Sequence, residues 1–185
     1  MLKYSFSAAA IRIKWYLLLN HWNKDCLSDI LLRNSFIVSL RFKKTIAMDL
    51  ENIKNIVTQQ DGLSKTLGME FFSTPDPDTC IAKMKVDERN RQAFGFLSGG
   101  ASLALAENLA GVGSLAICPN EISVGINVSG SHVKSVVEGE TVTAYGRLQH
   151  RGRTLHQWHI EIKDSEGNLI STVQVTNYVL RKPRK

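Results

Sequence analysis

The segment from residue 98 to residue 118, SGGASLALAENLAGVGSLAIC, carries a single charged side chain, Glu107. Its length and apolar content predict a helix over about 98–118 that is buried on several sides, and Pro119 ends it. A lone carboxylate in such a helix is costly unless it is solvated or paired. Glu107 is therefore either a reactive group or a residue on the solvent-exposed face of the helix, and the segment by itself leaves both interpretations open.

Strand patterns and turn signals surround this helix. Gly139 and Gly167 mark turns between strands after the helix. The many small residues of the helix would let a sheet close tightly around it. We therefore predict one α+β domain over 48–185, a curved antiparallel sheet wrapped around one long central helix. Its predicted strands are 67–73, 79–86, 122–129, 131–136, 140–152, 153–164 and 169–180.

The net charge of +6 belongs to the first 47 residues. Residues 1–47 contain eight Lys or Arg and two Asp, whereas residues 48–185 contain 15 basic and 15 acidic residues. A neutral domain argues against nucleic acid as a partner, since that partner selects a basic face.

The basic extension 1–47 is expected to lie outside the fold. Arg12 and Lys14 interrupt its apolar run, which argues against a secretory signal and against a membrane span. An organelle transit peptide, a membrane-surface helix and a translation start at Met48 remain as interpretations. We favour the start at Met48, because Asp49 could cap a short amphipathic helix there.

The three cysteines have neither metal-binding nor disulfide-framework spacing. They fit a reducing compartment. We therefore expect a cytoplasmic protein that does not associate with membranes, with organelle targeting through residues 1–47 as the alternative.

The start of the central helix has the features of an anion site. A loop from Gln92 enters the helix through Ser98, Gly99 and Gly100, where the first backbone N–H groups have no partner within the helix. Such donors suit an oxyanion hole, in which one donor contributes about 3 kcal/mol to a transition state. Glu107 lies about 12 Å further along the helix axis. One subunit therefore cannot place both groups on one atom, whereas two antiparallel subunits could. A tight packing turn is the other explanation for the glycine pair.

These residues resemble a known family. NRQAFGFLSGGASLALAE, followed by SHVKSVVEGE and LQHRGRTLHQWHIEIKD, is similar to hotdog-fold acyl-CoA thioesterases of the phenylacetate-degradation (PaaI-like) and 4-hydroxybenzoyl-CoA type, which include menaquinone- and enterobactin-pathway enzymes. The resemblance covers about residues 60–180. It implies hydrolysis of an acyl-CoA to a free acid and coenzyme A by a homodimer or homotetramer with sites at the subunit interface. It implies no metal and no cofactor beyond the coenzyme A of the substrate.

The resemblance also implies catalytic roles. Glu107 matches the catalytic carboxylate, acting as general base or nucleophile. Gly99 matches the glycine whose N–H polarises the thioester carbonyl, and Gln92 matches a glutamine that positions water or substrate. Ser98 replaces a common histidine. Ser98 can donate a hydrogen bond and can cap the helix, but it cannot shuttle a proton.

Further matches concern substrate binding. Gly100 and His132 match positions near the acyl-CoA, although His132 is equally well explained as an ordinary strand histidine. Lys134 and the basic loop Arg151–Gly152–Arg153 would suit the phosphates of coenzyme A, unless that loop is simply a solvated hairpin. The acyl group stays open between an aromatic one, such as 1,4-dihydroxy-2-naphthoyl, phenylacetyl or hydroxybenzoyl, and a medium-chain one. Two alternatives are a hotdog dehydratase or hydratase and a protein that binds acyl-CoA without hydrolysing it.

Overall fold

A computed structural model describes residues 48–50, 53 and 62–180. The predictions about the extension 1–47, and most of the short helix predicted after Met48, fall outside these residues and stay predictions. Met48 itself forms an isolated antiparallel bridge with Thr74, and the side chains of Leu50 and Ile53 are buried.

Apart from the short helix over 63–66, which was not predicted, the described elements follow the predicted order. The long helix and the last strand agree with their predicted bounds to within one residue at each end. The elements are α1 (Leu63–Thr66), β1 (Met69–Phe72), β2 (Thr79–Lys85), α2 (Gly99–Ile117), β3 (Ile122–His132), β4 (Thr141–Arg151), β5 (Leu155–Lys163) and β6 (Leu169–Leu180).

The six strands form one sheet in the order β1-β2-β4-β5-β6-β3, and all neighbouring pairs are antiparallel. Helix α2 packs against β2, β3, β4, β5 and β6, so that the sheet surrounds it. This confirms the predicted α+β hotdog architecture. Among the described residues, α2 is the one helix long and apolar enough to cross a membrane, and half of that stretch is buried within this domain.

One strand boundary was predicted wrongly. Residues 122–129 and 131–136 were expected to form two strands, whereas β3 runs without a break from Ile122 to His132. Gly130 does not interrupt it, because Gly130 pairs with Val173 of β6 in the same ladder as its neighbours. The residues after His132 leave the sheet and form a loop, which places Lys134 beside the start of α2.

The core lies between α2 and one face of the sheet. Alternate residues of β5, namely His156, Trp158, Ile160 and Ile162, are buried against the helix as the period-two pattern predicts. Gly113 of α2 permits a close approach to the sheet, since a Cβ atom there would lie 2.6 Å from Cη2 of Trp158. The indole Nε1 of Trp158 donates a 2.9 Å hydrogen bond to the buried hydroxyl of Ser114. The helix and the sheet are therefore held in one register.

Strand β3 lies at an edge of the sheet and carries large apolar side chains in solvent. Ile122, Val124 and Ile126 are 48%, 39% and 57% exposed. The neighbouring side of α2 is also only half-buried, at Leu103 and Glu107 among others. An exposed apolar edge strand is the kind of surface that proteins normally cover. This edge bears on the assembly proposed below.

Candidate active site

The loop before α2 is held tightly by its backbone. The N–H of Gln92 donates to the carbonyl of Phe96 at 2.8 Å, that of Leu97 donates to Val136 at 2.8 Å, and that of Ser98 donates to Asn90 at 2.9 Å. The bond from Leu97 joins the loop to the segment after β3, and the other two close the loop on itself. They place the first turn of α2 in a defined position next to His132 and Lys134.

Helix α2 begins at Gly99 with open donors. Ser98 precedes it in an extended conformation, and its carbonyl accepts the N–H of Ser102 at 3.1 Å. The Ser98 side chain makes no capping hydrogen bond, so the expectation that it could cap the helix is not realised. Within the described residues, no acceptor is found for the backbone N–H groups of Gly99 and Gly100. These N–H groups are therefore free to bind an anionic oxygen.

A pocket of about 330 Å³ opens at this helix start. Four of the predicted site residues lie together in its wall: Gln92, Gly99, His132 and Lys134. Its apolar wall is formed by Leu97, Val133, Val136 and Ile170. The structure thus brings helix-start donors, an imidazole and an ammonium group to one cavity, although these residues are separated by up to 42 positions in sequence.

The imidazole of His132 lies directly against Gly99. A Cβ atom at position 99 would be 2.7 Å from Nε2 and 2.8 Å from Cδ2 of that ring. Glycine is needed here because of this close approach, and its φ is not positive. The other ring nitrogen, Nδ1, lies 2.9 Å from Oγ of Ser171 on β6. The histidine is therefore fixed between the helix start and the neighbouring strand.

Lys134 is held at the pocket by an ion pair. Its Nζ atom lies 2.7 Å from Oδ2 of Asp164, whose side chain is only 6% exposed. The hydrogen bond from Lys134 and a second from the side chain of Asn168 hold the pKa of Asp164 far below its usual value. Asp164 in turn raises the pKa of Lys134. The Lys134 side chain remains 46% exposed and can contact a ligand phosphate.

Glu107 lies elsewhere in the protomer. It is half-buried, and its carboxylate contacts Gly125 of β3 rather than the pocket that contains Gly99. Among the described residues, its carboxylate has no hydrogen bond and no ion pair. Gly125 and His132 are seven residues apart on β3, roughly 20 Å along a strand. The separation of Glu107 from Gly99 inferred from the helix length is therefore present in the structure.

The loop Arg151–Gly152–Arg153 lies at the Glu107 end of the sheet. Arg151 pairs with His156, His156 pairs with Asn177, and Asn177 pairs with Gly125. His132 and Lys134 lie at the opposite end. Within one protomer, the structure does not bring this basic loop together with Lys134. Both arginines are exposed, as a loop that contacts a partner or ligand requires.

Sequence reasoning missed three polar residues that support the site. These are Ser171, which contacts His132, Asp164, which holds Lys134, and Ser102, which is buried at the pocket wall. Cross-strand pairing and helix packing determine their positions, and no local sequence motif predicts them. In the described part of the chain, no three His, Cys, Asp or Glu side chains are grouped to hold a metal ion.

The antiparallel sheet around a buried helix defines the hotdog fold, and the open helix start is its candidate oxyanion site. A family model for the thioesterase superfamily matches residues 94–171. The 1,4-dihydroxy-2-naphthoyl-CoA hydrolase of Listeria monocytogenes is 34% identical over 122 residues, which cover 65% of this chain and 98% of that protein. A Deinococcus radiodurans protein described as an esterase is 45% identical over 120 residues, 64% of this chain and 74% of its own length.

Solved structures agree with the sequence comparisons. A crystal structure of a mutant thioesterase from Pseudomonas aeruginosa has a TM-score of 0.65 and 32% identity, covering 71% of this chain and 94% of that one. The chain therefore belongs to the thioesterase superfamily, and it is a thioester hydrolase. The resemblance drawn from its motifs is confirmed, as are the fold and the class of enzyme that it implied.

Proposed function

We propose that this thioesterase hydrolyses an aromatic acyl-CoA at a site shared by two copies of the chain. The observation that supports the proposal is that the residues predicted to act together are divided between the two ends of β3. Gln92, Gly99, His132 and Lys134 lie at one end, and Glu107 lies at the other with the Arg151–Arg153 loop. At the donor end the Asp164 carboxylate is ion-paired with Lys134, whereas Glu107, which has no such partner among the described residues, lies at the other end.

A twofold dimer through β3 would unite the two halves. If β3 pairs antiparallel with its own copy, the His132 end of one strand faces the Gly125 end of the other. Such pairing would cover the exposed edge residues Ile122, Val124 and Ile126. It would also bring the half-buried side of α2 next to the same side of the partner helix. Further pairing of dimers into a tetramer is compatible with this contact.

Each group then has a chemical role. The Glu107 carboxylate activates water or attacks the thioester carbonyl carbon directly. The N–H of Gly99 stabilises the oxyanion that forms on the carbonyl oxygen. If water attacks, Glu107 takes its proton, and collapse of the intermediate expels the coenzyme A thiolate and leaves the free acid. If Glu107 attacks, collapse expels the thiolate and leaves an acyl anhydride on Glu107, which water then hydrolyses to the free acid. Gln92 would orient the water or the substrate. Lys134 of one copy and the Arg151–Arg153 loop of the other supply cations for the phosphates of coenzyme A.

The aromatic acyl group is supported by the relative from Listeria monocytogenes, whose name specifies a bicyclic aromatic acyl-CoA. The apolar pocket wall, with Leu97, Val136 and Ile170, suits such a group. The proposed chemistry requires neither a metal nor a redox cofactor. The cytoplasmic location stays a prediction that goes with this proposal.

The first experiment measures release of coenzyme A with a thiol reagent. Purified full-length protein is given 1,4-dihydroxy-2-naphthoyl-, benzoyl-, 4-hydroxybenzoyl-, phenylacetyl-, hexanoyl- and palmitoyl-CoA. The expected result is hydrolysis of one or more aromatic substrates and loss of that activity in Glu107→Gln. Activity that survives Glu107→Gln would remove the assignment of Glu107. Tight binding of acyl-CoA without release would identify a binding protein instead.

A second experiment tests the shared site. Subunits carrying Glu107→Gln and subunits carrying Gly99→Ala are each expected to be inactive. When they are mixed and reassembled, half of the dimers are hybrids, and each hybrid contains one intact site. Activity should therefore recover to about one quarter of the wild-type value, as twofold symmetry requires. No recovery, with hybrid dimers demonstrated by native mass spectrometry, would show that each protomer contains its own complete site.

A further inference from the structure

This chain has serine at position 98, so no histidine there can help to stabilise the oxyanion. Ser98 precedes the helix, and its side chain makes no capping hydrogen bond. The imidazole of His132 instead reaches the helix start from β3, with Nε2 next to Gly99. His132 and Gly99 line the same pocket. An imidazole N–H at this place would provide a second donor beside the N–H of Gly99.

The contact with Ser171 indicates which ring nitrogen of His132 carries the proton. The Ser171 side chain is fully buried. Within the described residues, its hydroxyl has one hydrogen-bond partner, Nδ1 of His132 at 2.9 Å. If Nδ1 carried the proton, the hydroxyl would accept that proton and its own O–H would be buried without an acceptor, which is unfavourable. The neutral ring therefore accepts the Ser171 O–H at Nδ1 and carries its proton on Nε2.

We propose that Ser171 is a positioning residue that sets the Nε2–H tautomer of His132, and that this N–H donates to the thioester oxygen together with the N–H of Gly99. The inference rests on the proposed function for its catalytic part. As the carbonyl carbon is attacked, the electron pair of the C=O bond moves to oxygen, which accepts both hydrogen bonds. No proton leaves His132 in this step. The carbonyl then re-forms, and the C–S bond breaks to release the thiolate.

This role explains why glycine occupies position 99 in a helix. A side chain there would displace the ring of His132, whereas Gly100 would tolerate one, since its nearest neighbour is Oγ of Ser98 at 3.7 Å from a Cβ atom. The two glycines therefore differ. Gly99 provides space for the donor from β3, and Gly100 does not.

The test uses the full-length protein and the Ser171→Ala variant, with two measurements. The first is release of coenzyme A from the best substrate, where kcat should fall about tenfold, the equivalent of one hydrogen bond, while KM changes little. The second is the ¹⁵N spectrum of His132, assigned by comparison with His132→Gln. It should show the Nε2–H tautomer in the wild type and a shift towards Nδ1–H in Ser171→Ala.

Ser114→Ala is the matched control. Ser114 is equally buried and hydrogen-bonded, but its partners are Trp158 and Asn177 near the other end of α2. It should lower thermal stability without changing the tautomer of His132, and its kcat should stay within about twofold of the wild type, as expected for a structural site.

Two results would overturn the proposal. The first is a wild-type His132 protonated on Nδ1, and the second is an unchanged kcat and tautomer in Ser171→Ala. If the wild type releases no coenzyme A from any substrate, the proposed function fails. If the Ser171→Ala variant does not fold, the wild-type ¹⁵N spectrum still tests the proposal, because a proton on Nδ1 of His132 overturns it.

Discussion

Replacing Gly125 by alanine should move the carboxylate of Glu107, which we propose is catalytic, without unfolding the protein. A Cβ atom at this position would overlap Oε1 of Glu107 and would lie 3.1 Å from Cδ. The end of the Glu107 side chain must therefore retreat by about 1 Å, a displacement that can reduce the rate of a positioned reaction by up to about 100-fold. The backbone itself accepts alanine, because φ at Gly125 is not positive.

We expect kcat for coenzyme A release to fall between about 10- and 100-fold in Gly125→Ala. The free energy of unfolding should stay constant or rise by about 0.5–1 kcal/mol, because alanine has less conformational freedom in the unfolded chain. Gly130→Ala on the same strand is the control. Its Cβ atom would lie 2.8 Å from the backbone oxygen of Thr172, so this change should destabilise the sheet while leaving the contacts of Glu107 intact.

Three measurements decide the matter: steady-state kinetics, urea unfolding, and native mass spectrometry to verify that assembly is unchanged. Full activity in Gly125→Ala, in a protein with wild-type stability and assembly, would refute the reasoning. It would mean either that Glu107 is not the reacting carboxylate or that its position next to Gly125 has no bearing on the reaction.

Two further predictions concern stability. In Gly113→Ala the new methyl group would meet the ring of Trp158, which is itself hydrogen-bonded to α2. The destabilisation caused by overpacking should outweigh the higher helix propensity of alanine, so the free energy of unfolding should fall by about 1–2 kcal/mol in urea titrations. An unchanged midpoint of the urea transition would contradict this packing. Burial, with a smaller contribution from Arg151, lowers the pKa of His156. The unfolded chain then binds a proton below about pH 6.5 while the native protein does not, so stability should decline as pH falls through this range. His156→Gln should reduce that decline, and an unaltered pH dependence would argue against a neutral buried His156.

The local sequence was sufficient to predict the long helix and most of the strands, and the family resemblance predicted the class of protein. Apolar continuity over 98–118 predicted α2, and period-two alternation placed His156 and Trp158 on one face of β5. The local sequence did not predict that β3 continues through Gly130, because the pairing with β6 overrides the weak preference of glycine to end a strand.

The amino-acid sequence by itself determined the helix, the alternating strands, the isolated carboxylate of Glu107 and the unpaired donors at Gly99, since each depends on residues that are close together in the chain. The tertiary structure alone decided which side chains meet. Ser171 contacts His132, and His132 contacts Gly99, only because antiparallel pairing and helix packing join distant segments. The same pairing places Lys134 and the Arg151–Arg153 loop at opposite ends of the sheet, because neighbouring antiparallel strands run in opposite directions.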